Sequence, residues 1–199
     1  MAETTFSKSD LIKKGWGATK ANKVILLEVL LIFIAVSIVT SFIENNVGAL
    51  RPLVGIISTV IDTVLEIGIF KIALDIANGK TPNIKDLYMN YNRFLEFFIT
   101  SLAVGIMIVV GFILLIIPGI YLGVKFQFTP YIVVDKNLAY SKAWSLSSQM
   151  VKGRWMSIFL FDLTLLGLNI LGALALGIGL FLTIPTSLLA TVYLYKKLS

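Results

Sequence analysis

Neither cysteine nor histidine occurs among the 199 residues. The first absence excludes disulfides, thiolate metal sites and lipid attachment at Cys. The second removes the commonest general base and the commonest metal ligand. Charged residues are also scarce, at 14%, against about 25% in an ordinary soluble domain. No Walker-type phosphate loop occurs, which argues against self-powered transport. No nucleophile stands in a pattern with a base, so the chain is expected not to be an enzyme and to hold no cofactor or metal.

Apolar residues make up 57% of the chain and fall into six runs, at 24–43, 53–74, 97–117, 119–134, 155–176 and 180–195. A membrane-spanning helix needs about 20 such residues. The 24–43 and 97–117 runs meet that outright, and 97–117 carries no charge. The 119–134 and 180–195 runs are shorter, but Pro118-Gly119 and Gly177-Ile178-Gly179 tie them tightly to their predecessors, as in hairpins. The segment ahead of 24–43 is too long and basic for a secretory signal and lacks an A-x-A site, so 24–43 is expected to be a retained helix.

Basic residues settle the orientation. Counting Lys71, at the inner edge of the second run, with the gap that follows it, all but two of the 17 Lys and Arg lie before the first run, between the second and third, between the fourth and fifth, or after the sixth; the exceptions are Arg51 and Lys125. Cytoplasmic flanks retain Lys and Arg. The prediction is an all-α integral protein of the cytoplasmic membrane, one domain over 1–199. Six transmembrane helices form three hairpins, with both termini in the cytoplasm. The net charge of +6 belongs beside the spans, where it meets anionic lipid headgroups; nucleic acid is not an expected partner.

Each hairpin follows a segment that mixes aromatic and polar residues at helical spacing. These are Asp10–Trp16 with Lys20 and Lys23, Asp86–Phe94, and Tyr140–Trp144 with Lys152 and Arg154. They predict three amphipathic cytoplasmic helices at the interface, the first in the basic segment 1–23. Residues 138–152 are expected to form one, with Ala143, Ser147 and Val151 on one face. Trp16, Tyr91, Trp144 and Trp155 are the candidate interfacial anchors.

Several polar residues fall inside the runs. Ser58, Asp62 and Glu66 share one helix face, as do Tyr121, Lys125 and Thr129. Asp162 and Asn169 lie two turns apart. Ionisable groups at mid-span pair or line a path. With a 1.5 Å rise per residue, Lys125 is expected roughly 9 Å in from the outer end of its span, Asp62 roughly 14 Å and Glu66 roughly 20 Å. Lys125 with Asp62 is therefore the expected pair. The spacing Gly119-x3-Gly123 permits close helix approach, within one chain or in a homo-oligomer.

Leu115-Ile-Ile-Pro-Gly-Ile120, Phe128-Thr-Pro-Tyr131, Val134-Asp135, Lys152-Gly153, Leu176-Gly-Ile-Gly-Leu180 and Pro185 stand in this order along the chain. With Trp16-x3-Lys20-x-Asn22 and Gly79-x2-Pro82-x3-Asp86-Leu87 ahead of them, the pattern resembles a broad family of bacterial and archaeal polytopic membrane proteins of unknown function. That family is related to the membrane domain fused to some glycerophosphodiester phosphodiesterases and to YciC-like proteins. The resemblance implies a six-helix membrane fold and transfers no catalytic residue. Two function classes stand: a non-enzymatic accessory, lipid-interacting or immunity-type membrane protein, or a small-solute or ion transporter or channel using Asp62, Glu66 and Lys125.

Overall fold

The computed structural model describes residues 6–114, 116–175 and 177–199. Leu115 and Leu176, two positions of the family pattern, lie outside the described residues. Among those described, the regular structure is helical throughout.

Helix α1 (Lys8–Ala21) starts at Ser7, whose hydroxyl accepts from the Asp10 amide at 3.2 Å. This is the ordinary N-cap bond that satisfies an orphan donor. Leu11, Gly15 and Thr19 form its buried stripe, while Lys13, Lys14, Trp16 and Lys20 face outward. Helix α2 (Lys23–Asn46) and helix α3 (Arg51–Ala77) follow, joined by a short 3-10 turn at Gly48–Leu50. Pro52 sits in the first turn of α3, where a missing N–H costs nothing.

The second amphipathic segment is much shorter than expected. Helix α4 (Asp86–Met89) is one turn, followed by a 3-10 turn at Tyr91–Arg93. Asn side chains compete with the backbone here. Asn83 Oδ1 accepts from the Lys85 amide, and Asn90 Nδ2 donates to the Asp86 carbonyl. Helix α5 (Phe94–Leu114) then runs long and apolar.

The expected 119–134 span is not one helix. Helix α6 (Ile116–Phe126) ends before Gln127-Phe128, and helix α7 (Thr129–Lys136) starts anew. Pro130 lies in the first turn of α7, so it begins a helix instead of kinking one. At 11 residues, α6 is about 16 Å long and cannot cross a hydrocarbon core of about 30 Å. Asn137 ends α7 in the left-handed region with φ 53°, which Asn tolerates better than most residues. Helix α8 (Tyr140–Val151) matches the predicted 138–152 helix, and Ala143, Ser147 and Val151 are buried together with Met150. Helices α9 (Trp155–Leu174) and α10 (Leu180–Leu198) close the chain as a hairpin.

Four stretches are long and apolar enough to cross a membrane: Lys23–Asn46, Gly48–Ala77, Asp86–Ile113 and Trp155–Leu174. Packing along them is uneven. The core is gathered at one end, from Leu65–Ile76 of α3, Tyr131–Val133 of α7, Ile158 and Phe161 of α9, and Leu189–Tyr195 of α10. Helix α1 docks there too: a Cβ on Gly15 would lie 2.7 Å from the Thr186 carbonyl oxygen and 2.9 Å from the Ala190 nitrogen. Away from that end, Ile38, Val39 and Phe42 of α2, Leu53, Ile56 and Ile57 of α3, and Leu166, Leu171 and Leu174 of α9 are exposed. Water would penalise such a surface heavily, whereas lipid would not.

Candidate functional site

The packed end is tied by ion pairs. Asp135 accepts from the Tyr195 hydroxyl at 2.7 Å and from the Lys196 ammonium at 3.0 Å, joining α7 to α10. Asp75 pairs with Lys71 and, at 3.9 Å, with Lys80. Arg93 pairs with Glu96 at 3.6 Å and donates to Asn137 Oδ1 at 2.9 Å.

Lys125 behaves differently, and its expected partner is a correction. It has no carboxylate within ion-pair distance among the described residues. Its ammonium lies 5.7 Å from the Tyr121 ring centre and 5.3 Å from that of Phe126, within reach of cation–π attraction. The reason is the neighbour against which α6 packs, which a depth count along one helix does not give. In the fold, α6 leans on the start of α9. The Trp155 indole N–H donates to the Tyr121 carbonyl at 3.4 Å and their rings lie 5.9 Å apart. Gln127 Nε2 donates to Asp162 Oδ2 at 3.0 Å. Gln127 lies just past the end of α6, at the break before α7.

Lys125 therefore opens into a cavity of about 440 Å³ beside Tyr121, Ser148, Gln149, Lys152 and Trp155. Val151 and Gly153 complete the wall, and no carboxylate among the described residues lines it. Gly153 adopts φ 76°, a turn that glycine makes without strain. The turn sets the start of α9 at the cavity. Arg154 holds the N-cap position, and its side chain has no oxygen to accept from the orphan N–H groups of the first turn. The cavity thus combines two uncompensated ammonium groups with the positive end of a 20-residue helix. A second cavity, of about 330 Å³ near Lys71 and Arg93, differs because both cations there already hold carboxylates.

Of the other predicted polar residues, Glu66 lies near Asp62, and Glu66 and Asp162 both lie near the buried Tyr131, while Asn169 is held elsewhere. Asp62 on α3 keeps a buried oxygen, Oδ1, without a hydrogen-bond partner. Glu66, one turn on, is exposed on the same helix. Asp162 is held by Gln127, and Asn169 exchanges hydrogen bonds with Ser187 of α10 at 3.1 and 3.4 Å. Of the predicted anchors, Trp155 stacks on Phe159 at 5.3 Å and lines the basic cavity. Trp144 packs between Phe126 and Tyr140. Trp16 is exposed with Lys20 over its ring, and Tyr91 is exposed. Gly119 is used inside the chain, since a Cβ there would lie 2.7 Å from the Phe112 ring of α5. Ser148 and Gln149 escaped sequence reasoning; they carry no signal until α8 folds back onto α6.

An uncharacterized protein of Mycobacterium bovis and one of Mycobacterium tuberculosis are each 30% identical to this chain over 135 residues. The matched stretch is 68% of this chain and 41% of each relative, so the chain spans well under two thirds of their length. No family model matches the chain, and no solved structure matches it significantly.

Proposed function

We propose that this chain is a non-enzymatic, lipid-interacting protein of the cytoplasmic membrane that engages anionic lipid on the cytoplasmic side, with both termini there. The observation that carries this reading is the segregation of charge from bare apolar surface. Exposed Lys13, Lys14, Lys20, Lys80, Lys152 and Lys197 belong to the packed end or its immediate loops, and the projecting helices expose Ile, Leu, Val and Phe. Each lysine near an anionic leaflet contributes about 1 kcal/mol of attraction. On this reading α2–α3 and α9–α10 cross the bilayer, while α5–α6 enters and returns from the same side. The six-pass arrangement predicted from sequence is the alternative for that middle hairpin. The likeness to polytopic membrane proteins of unknown function, with its shared motifs, belongs to the same proposal.

The test is thermal unfolding of the full chain in nanodiscs of phosphatidylcholine with and without phosphatidylglycerol. Tm is expected to rise with the anionic lipid, and the rise to shrink in high salt. Equal Tm in both membranes overturns the reading. One observation favours a second reading, a cation or proton path along α3: the unpartnered buried oxygen of Asp62, one turn from Glu66. Proteoliposomes carrying the chain would then lose ion flux on Asp62→Asn. Absence of flux in the unsubstituted chain removes that reading.

A further inference from the structure

We infer that the cavity between α6, α8 and the start of α9 binds one phosphate group, supplied by the headgroup of an anionic phospholipid. Lys125 and Lys152 face it with no carboxylate among the described residues in ion-pair distance of either. Two ammonium groups beside a helix N-terminus form an anion site of the kind phosphate oxygens fill. The Ser148 hydroxyl on the wall is a further donor. A carboxylate ligand would be drawn by the same charges.

What selects a lipid is the surface next to the cavity. A largely apolar groove of about 290 Å³ lies between α5, α6 and α9, with Gly119 and Gly123 of α6, Phe112 of α5 and Phe159 and Leu163 of α9 along it, and Gln127 and Asp162, bonded to each other, among its lining. The Tyr121, Trp155 and Phe159 rings lie between the basic cavity and this groove. A charged mouth beside an apolar trough has the polarity profile of a phospholipid, headgroup first and acyl chains along α9. Inorganic phosphate shares only the first half of that profile.

This inference rests on the lipid-interacting reading for the source of the phosphate, not for its chemistry. The experiment is native mass spectrometry of the delipidated full chain, titrated with short-chain phosphatidylglycerol, phosphatidylcholine of the same chains, and inorganic phosphate. The variants are Lys125→Gln, Lys152→Gln, their double, Lys125→Arg, and Lys13→Gln with Lys14→Gln as a control away from the cavity. Phosphatidylglycerol is expected to bind in preference to phosphatidylcholine. Each lysine-to-glutamine change should weaken it about fivefold, the equivalent of about 1 kcal/mol. Lys125→Arg and the α1 control should bind as the unsubstituted chain does. Circular dichroism checks that each variant keeps its helices. Lysine-dependent binding of inorganic phosphate without a preference for phosphatidylglycerol supports the phosphate site and assigns it a soluble ligand. A preference for phosphatidylglycerol that survives the double variant overturns the cavity and leaves the lipid-interacting reading standing. No preference in the unsubstituted chain overturns that reading and the lipid source together.

Discussion

Gly15 sets how closely the first helix lies on the last. The space a methyl group would need there is filled by backbone of Thr186 and Ala190, which cannot rotate away. Gly17, two residues on, faces open space. Gly15→Ala is therefore expected to destabilise the fold by about 1–3 kcal/mol through overpacking. Gly17→Ala should be neutral or slightly stabilising, since Ala is the better helix former. Thermal unfolding in detergent of the two variants side by side checks this; equal shifts would mean that α1 does not dock on α10. Tyr195 makes a comparable anchor. It is fully buried, and its hydroxyl reaches Asp135. Tyr195→Phe should lose about 1.5–3 kcal/mol, the usual worth of a bond to a charged acceptor, measured the same way. Neither role was legible in the sequence. Gly15 read as one residue of an interfacial helix, and Tyr195 as the end of a span, because what each touches is more than 50 residues away. Lys125 shows the same limit more sharply. Its chemistry, a lone cation in an apolar run, is plain in the sequence, but a depth count along its own helix does not say which helix it faces, and α6 leans on α8 and α9.

At the scale of elements, hydrophobic period and caps placed the long helices well. The predicted 24–43, 53–74, 97–117 and 155–176 runs correspond to α2, α3, α5 and α9, and 138–152 to α8. The break between α6 and α7 was missed because an apolar run records length and not direction. Pro130 marks the break only in the fold, since proline in a first turn and proline in a helix interior look alike in sequence. Because the chain has no native cysteine, the geometry of α6 against α9 can be tested by pairwise cysteine substitution and a short bifunctional maleimide. Tyr121→Cys with Trp155→Cys, and Gln127→Cys with Asp162→Cys, are expected to cross-link. The crossed combinations, 121 with 162 and 127 with 155, should react far less. The reverse outcome would mean that α6 descends as α9 rises, as in the pairing of two full spans.

At the scale of the whole molecule, the proposed topology turns on that one relation between helices. Trp155 comes directly after the basic residues Lys152 and Arg154, and its ring lies 5.9 Å from Tyr121. Ile117 stands four residues before Tyr121, about 6 Å along the helix axis. On the proposed reading, in which the α5–α6 hairpin enters and returns from the same side, its tip stays in the basic half of the bilayer. In the six-pass alternative α5, 21 residues long, carries the tip to the other face. The Ile117 side chain is 77% exposed and apolar, and its neighbours Ile113 and Ile116 are exposed too. A tip of that character suits lipid better than water. Single cysteines at Asn46, Lys80, Ile117, Lys136 and Ile178, in cells treated with a membrane-impermeant maleimide, separate the possibilities. Labelling from outside is expected at Asn46 and Ile178. Lys80 and Lys136 should label only after the membrane is opened. Ile117 should stay protected until detergent is added, because lipid and not cytoplasm covers it. Outside labelling at Ile117 would restore six full passes and carry Lys125 towards the far leaflet. A cavity there would face the wrong membrane surface for the cytoplasmic lipids proposed to fill it. Outside labelling at Lys80 or Lys136 would go further and overturn the orientation drawn from the basic residues themselves.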